Sequence, residues 1–230
     1  MDFFASLRRE KQNKMKTFDI VTLTVSPALD KSAHFSGLVP EQKIRCETPM
    51  FDAGGGGINV SKAISKLGGT SLAVLTSGGA TGEMLKELLK RDSILFEAIE
   101  TESWTRENFV AVDDHTNSQY RFVFPAPAVT LSEKEKISSI IQGLNCGFLV
   151  ISGGLSEGLA VDFYKQIAET AKKYNAKLIV DTAGEALAKV LETGVYLIKP
   201  NVGELAKLIG VERLEMEEVN EEAKQIIVNG

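Results

Sequence analysis

This chain is poor in the residues that redox, metal or nucleophilic chemistry draws on. It has two cysteines, Cys46 and Cys146, far apart and without the paired spacing of a zinc site or a disulfide framework, so both read as reduced thiols. Its two histidines, His34 and His115, have no acid or nucleophile partner in view, which leaves no catalytic triad to build. Basic residues do not outnumber acidic ones: 26 Lys and Arg stand against 31 Asp and Glu, a net charge of −5. With no basic stripe interleaved with aromatics, nucleic acid is excluded as the main partner. No apolar stretch approaches the length of a membrane span. Met1 to Lys16 is polar and basic and lacks the apolar core of a signal peptide. A cytoplasmic protein is therefore expected, with residues 1–17 as an N-terminal extension. No Gly-Lys-Ser/Thr follows any glycine run, and no G-x-G-x-x-G opens the first βαβ unit, so neither phosphate-loop fingerprint is present.

What the chain does have is four glycines in a row, Gly54, Gly55, Gly56 and Gly57, followed at once by Ile58-Asn59-Val60. Glycine costs backbone entropy wherever it sits, so a run of four needs a reason. A ligand that must reach backbone N–H groups with no Cβ in the way supplies one; a flexible turn is the plain alternative. Ile58, Ala63, Ile64 and Leu67 follow with helical spacing and predict one apolar face. The run then lies at a helix N-terminus, where free N–H groups and the helix dipole favour an anion or a hydroxyl-rich ligand.

At 43% hydrophobic and 25% charged residues, the composition is that of a globular protein, and 230 residues can bury one core. Strand and helix signals alternate, which predicts a layered α/β fold with a parallel sheet. Ile20–Val25, Leu72–Thr76, Phe148–Ser152, Leu178–Asp181 and Tyr196–Lys199 read as strands. Glu83–Lys90, Val161–Tyr174 and a segment from Asn201 read as helices, as does the acidic stretch Glu212–Val228. Two segments break the rhythm. About 33–51 and about 109–124 carry alternating patterns such as Tyr120, Phe122 and Phe124, and predict antiparallel ribbons forming a small β-sheet lid. Such a sheet has edges that proteins cover, often with a second subunit.

Candidate polar groups sit where the strands of an open α/β sheet end. Asp30, just past the turn at Pro27, is placed to accept hydrogen bonds from sugar hydroxyls or to cap that turn. Asn59 can bind a hydroxyl or cap its helix. Arg106 can grip a phosphate by a bidentate fork or lie on the surface. Lys43 and Arg45 on the first ribbon face the same ligand or are solvated edge charges. Lys199-Pro200-Asn201-Val202-Gly203-Glu204 reads first as a capping box, with Asn201 as N-cap and Glu204 three residues on. Its other reading sets a carboxylate and an amide near Mg²⁺ and nucleotide phosphates.

In that order, the glycine run with Ile58-Asn59-Val60, the early Asp30, the two ribbons and Lys199-Pro200-Asn201-x-x-Glu204 resemble the ribokinase-like sugar kinases of the phosphofructokinase B branch. The match runs from about Phe18 to Gly230. Trp104-Thr105-Arg106-x-Asn108 and Gln119-Tyr120-Arg121-Phe122-Val123 place it nearest the minor 6-phosphofructokinases. The sister kinases usually carry a lysine where this chain has Gly56.

The resemblance implies a three-layer α/β/α parallel sheet with a β-sheet lid. It also implies ATP- and Mg²⁺-dependent phosphorylation of a ketohexose phosphate, fructose 6-phosphate first, as a glycolytic step; 1-phosphofructokinase and tagatose-6-phosphate kinase are the alternatives. By the same resemblance Asp30, Gly54, Gly55, Gly56, Gly57 and Asn59 bind the sugar. Arg106 and Asn108 hold its phosphate, with Lys43 reaching in from the lid, and Ser152 and Gly153 line the cleft. Lys199, Asn201 and Glu204 belong to the nucleotide region, Glu204 with Mg²⁺ through water, and the lids of two chains pack into a homodimer. The family's Gly-Ala-Gly-Asp run, which holds the catalytic base, occurs nowhere in the 230 residues. The base is expected beyond Gly230, which makes the chain an inactive N-terminal fragment. A non-catalytic sugar-phosphate-binding module is the competing reading.

Overall fold

Leu72–Ser77 is buried at every position, as a strand covered on both faces must be. In the computed structural model, which describes residues 16–229, it lies inside a six-stranded sheet. The strands in chain order are β1 (Lys16–Thr24), β2 (Ala28–Phe35), β3 (Met50–Gly54), β4 (Leu72–Ser77) and β5 (Leu95–Glu100), then β6 (Arg106–Asp113), β7 (Ser118–Val123), β8 (Leu144–Ser152), β9 (Lys177–Asp181) and β10 (Leu197–Ile198). The helices are α1 (Gly56–Lys66), α2 (Gly79–Arg91), α3 (Leu131–Gln142), α4 (Phe163–Lys172), α5 (Gly184–Leu191), α6 (Val202–Leu208) and α7 (Val219–Asn229). The large sheet has the order β10-β9-β8-β1-β4-β5 and is parallel throughout.

Alternate residues of the central strands feed two cores. Val21, Leu23, Val74, Leu149 and Ile151 pack with α3, α4 and α5 on one face. Ala73 and Leu75 pack with Ile58 of α1 and Leu85 and Leu89 of α2 on the other. Each fully buried aliphatic side chain contributes about 1.5–3 kcal/mol. The α/β/α layering inferred from the sequence is present. No helix among the described residues is long and apolar enough to cross a membrane.

The small sheet has the order β3-β2-β6-β7. Its outer pairs are antiparallel, as expected of ribbons, but the central pair β2–β6 is parallel. The reason is topological. β2 leaves the carboxyl end of β1 and β6 leaves the carboxyl end of β5, so both climb away from the same edge of a parallel sheet. The lid also starts earlier than the sequence placed it: β2 begins at Ala28 rather than residue 33, and β6 at Arg106 rather than 109. Between Phe35 and Met50 the first excursion is irregular, tied by one antiparallel bridge, Phe35 with Cys46.

Several other expectations shift. Lys16 and Thr17 pair with Leu144 and Asn145 and are strand, not extension; the rest of the predicted extension lies outside the described residues. α1 buries Gly57, Ile58 and Ser61, whereas Leu67 is 88% exposed. The predicted apolar stripe is thus on the inner face at Ile58, beside the small residues Gly57 and Ser61, but not at its far end, Leu67. The predicted acidic helix begins at Val219, not Glu212. β5, α3 and α5 went unread, although Thr130-x-x-Glu133 is a capping box that marks the start of α3.

One buried carboxylate holds the lid turns together. Asp113 is 2% exposed and accepts hydrogen bonds from Gly37 N (2.9 Å), His115 N (3.0 Å) and Thr116 Oγ1 (3.1 Å). The Gly37 bond is the main cause of a pKa below the usual carboxylate value. Asp113→Ala is expected to speed amide hydrogen exchange at Gly37 and 114–118 while leaving the large sheet protected. Unchanged exchange in those turns would show that Asp113 does not order them.

Candidate functional site

The glycine run is explained by what touches it. A Cβ on Gly54 would lie 2.1 Å from Asp30 Oδ2, one on Gly56 would lie 2.0 Å from Ser152 Oγ, and one on Gly57 would lie 2.5 Å from Thr24 Oγ1. Gly55 has φ +130°, a backbone conformation that L side chains rarely adopt. The run is thus the point where β1, the lid strand β2 and β8 meet the start of α1. Gly55 is the N-cap of α1 and has no side chain to offer, so no side-chain cap blocks that helix end. Asn59 does not cap it either: it is exposed, and its N–H bonds to Gly55 O (2.9 Å).

Asp30 lies on β2, opposite Asn108 of β6 in the parallel register. The two side chains bond directly, with Asn108 Nδ2 donating to Asp30 Oδ1 at 2.8 Å. Asn108 Oδ1 is buried and without a partner. Arg106 opens the same strand and donates through Nη1 to Phe124 O (3.0 Å) and through Nη2 to Ser26 O (3.4 Å). Its Nε is buried and unpartnered. A buried donor and a buried acceptor left open on neighbouring side chains cost free energy unless a ligand or water satisfies them.

A cleft of about 490 Å³ opens beside Ser152, bounded by Gly56, Gly153, Asp181, Glu185 and Glu204 among others. Ser152 Oγ donates to Asp181 Oδ2 (3.2 Å), and Lys199 Nζ lies 3.1 Å from Asp181 Oδ1. Asp181 therefore joins the sugar-side and nucleotide-side candidates. The sequence reading used it only to end a strand, although a carboxylate at a strand's carboxyl end is a usable signal. Gly153 has φ +108° and donates its N–H to Asp181 O at 3.0 Å. Below it, Tyr164 OH donates to Gly153 O (3.1 Å) and Gly154 O (3.2 Å).

The capping reading of Asn201 and Glu204 is present in full. Asn201 Oδ1 accepts from Glu204 N, and Glu204 Oε2 accepts from Asn201 N, each at 2.9 Å, while Glu204 also lines the cleft. Among the described residues no group of three or more His, Cys, Asp or Glu side chains forms a metal cage. Asp181, Glu185 and Glu204 line the cleft without closing round a common point. Lys43 is not brought to the site. It is exposed on the irregular 36–49 connection, without an ion pair among the described residues.

Residues 16–230 match the pfkB family of carbohydrate kinases. The chain belongs to that family. It is 38% identical over 213 residues to the ATP-dependent 6-phosphofructokinase isozyme 2 of Escherichia coli K12, covering 92% of this chain and 69% of that protein. The Mycobacterium tuberculosis H37Rv isozyme 2 is also 38% identical, and here the chain spans 62% of the relative's length. The 1-phosphofructokinase of Bacillus subtilis is 29% identical over 212 residues, 92% of this chain and 69% of the relative. Phosphofructokinase-2 from E. coli in complex with fructose-6-phosphate superposes with a TM-score of 0.88 over 92% of this chain and 71% of that one.

Within this pfkB chain two substitutions probe the geometry. Gly54→Ala drives a methyl into the Asp30 carboxylate and is expected to cost about 1–3 kcal/mol and to break the Asp30–Asn108 bond. Thermal melts and the amide resonances of Asp30 and Asn108 check it; wild-type values in both would refute the close-approach argument. Glu133 is 3% exposed and accepts from Thr130 N and Glu102 N, both at 2.7 Å. Burial disfavours its charged form, but those N–H donors outweigh burial and hold its pKa below the ordinary value. Its stabilisation is therefore present above the unfolded carboxyl's pKa and lost as pH falls through the folded one. Glu133→Gln should lower stability at neutral pH by about 1–3 kcal/mol, with the gap to wild type closing in acid. A gap independent of pH would show that the carboxylate charge is not what matters.

Proposed function

We propose that this chain carries the sugar-phosphate side and part of the nucleotide side of an ATP-dependent 6-phosphofructokinase. Its substrate is fructose 6-phosphate, and the product is fructose 1,6-bisphosphate. The observation that carries the reading is the convergence on the glycine run. Asp30 and Ser152, from strands far apart in sequence, both press against it, beside a helix end with free N–H groups and an arginine with an open Nε. In this reading Asp30, Asn59 and the Gly54–Gly57 backbone bind sugar hydroxyls. Arg106 and Asn108 hold the existing phosphate. Ser152 and Gly153 line the sugar end of the cleft, and Lys199, Asn201 and Glu204 serve the nucleotide end. Bound Mg²⁺, carried through water by Glu204, would neutralise charge on the transferring phosphoryl group. Catalysis of this kind depends on positioning and charge rather than on covalent chemistry.

The exposed edge of the lid supports a homodimer. Its edge strand β7 and the residue after it expose Phe122 (52%), Val123 (64%) and Phe124 (55%), apolar surface that a second lid would cover.

Calorimetric titration with fructose 6-phosphate, fructose 1-phosphate, tagatose 6-phosphate and fructose tests the substrate. Tightest binding of fructose 6-phosphate is expected, and Arg106→Lys should weaken it by roughly ten- to a hundredfold. With no Gly-x-Gly-Asp run in the 230 residues, binding without ADP formation is expected of the chain by itself. No preference for phosphorylated sugars would overturn the reading, and a sedimenting monomer would overturn the homodimer.

A further inference from the structure

The five residues between β5 and β6 are bound to the protein at every turn. Thr101 N donates to Ser77 O (2.9 Å), and Thr101 Oγ1 donates to Ser103 O (2.9 Å). Glu102 N is taken by the buried Glu133 carboxylate (2.7 Å). Trp104, though 63% exposed, lies so close over Gly79 that a Cβ there would meet its Cγ at 2.3 Å. Thr105, 4% exposed, makes three bonds to the turn from β4 into α2. Its N donates to Gly78 O (2.8 Å), its Oγ1 accepts from Gly78 N (3.1 Å), and its carbonyl accepts from Thr81 Oγ1 (2.6 Å). A Cβ on Gly78 would lie 2.1 Å from Ser103 O, so the two segments pass with no room for a side chain between them. Ordering a short exposed segment this completely costs conformational entropy. The next residue is Arg106, whose Nε is buried with its hydrogen-bond capacity open.

We infer that Thr105 is the positioning residue for Arg106. Its hydroxyl and backbone fasten the start of β6 to the Gly78–Thr81 turn, so that the guanidinium is held in place before an oxyanion arrives. An arginine on a free loop would lose rotamer and backbone entropy on gripping a ligand, and the strap makes most of that loss in the folded state. The ligand, but not the strap, rests on the sugar-phosphate reading above.

The test uses the whole chain with its arginine side chains labelled with ¹⁵N, the Arg106 Nε–H being assigned by its loss in Arg106→Lys. In the wild type this resonance should be single and slow to exchange. Thr105→Val keeps the shape, removes the acceptor for Gly78 N, and should speed that exchange roughly tenfold, the scale of one net hydrogen bond. Fructose 6-phosphate affinity should fall by a similar factor while ATP affinity is unchanged, and Thr105→Ser should restore both readouts. If Thr105→Val does not fold, Thr81→Val, which leaves no buried N–H unpaired, reads the same resonance with a smaller change. An Arg106 Nε–H that exchanges as in the wild type in the folded variant overturns the proposal, as does equal loss of sugar and nucleotide binding. If Arg106→Lys keeps full fructose 6-phosphate affinity, or the wild type binds none, the substrate reading falls. The Nε resonance then still decides the strap.

Discussion

Four consecutive residues without side chains hold this molecule's functional half together. At Gly54, Gly56 and Gly57 the backbone passes so near Asp30, Ser152 and Thr24 that a Cβ would stand 2.0 to 2.5 Å from their oxygens. Those three residues belong to the lid sheet, to β8 and to β1. The close approach therefore fixes the lid to the large sheet and sets the first turn of α1 against the cleft. A side chain at Gly54 or Gly56 would have to displace one of those oxygens, and with it the Asp30–Asn108 bond or the Ser152–Asp181 bond.

The lid follows from the sheet below it. Because β1 and β5, either side of β4, run in the same direction, the segments that leave their carboxyl ends start from the same edge of the sheet, and β2 and β6 pair in parallel. That pairing puts Asp30 opposite Asn108, which neither strand could arrange alone. It also makes the two short crossings, Val25–Pro27 and 101–105, the hinges on which the lid stands. The second is the more heavily fastened, by Glu133 from α3 and by Gly78 and Thr81 from the start of α2. Both fastenings end at the residue before Arg106 or a few residues earlier, so the rigidity is spent next to the arginine with the open Nε.

At the far edge of the sheet the arrangement is looser. β10 has two residues, and Tyr196 and Leu197 beside it are 59% and 46% exposed. With Val219 and Ile226 of α7 they bound an apolar groove of about 470 Å³. The glycine-run side is dense and hydrogen-bonded, while the nucleotide side, at Lys199 and Glu204, rests on this thinner edge.

Local chemistry carried the layered α/β class, the glycine run as a special backbone, the Asn201–Glu204 cap and the existence of a lid. Each of these is decided by residue type over a few positions: buried runs, missing Cβ atoms, a capping pair, period-two alternation. The strands β2 and β6 were legible only in part, because Asp30 and Arg106 are polar residues at strand starts and look like turn residues until the partner strand is present. The inner face of α1 was read only in part: Ile58 is buried as its apolar position implied, but Gly57 and Ser61 bury beside it while Leu67 is exposed; close packing chose that face together with hydrophobicity. Thr105 carried no distinguishing signal, because a threonine in a loop is common, whereas Asp181 at the carboxyl end of a strand carried one that went unused. The sequence by itself determined which backbone segments could be helix, strand or tight turn. Only the tertiary structure decided which side chains share a site, because bonds such as Asp30 to Asn108 and Ser152 to Asp181 join residues that chain connectivity keeps apart until the sheets assemble.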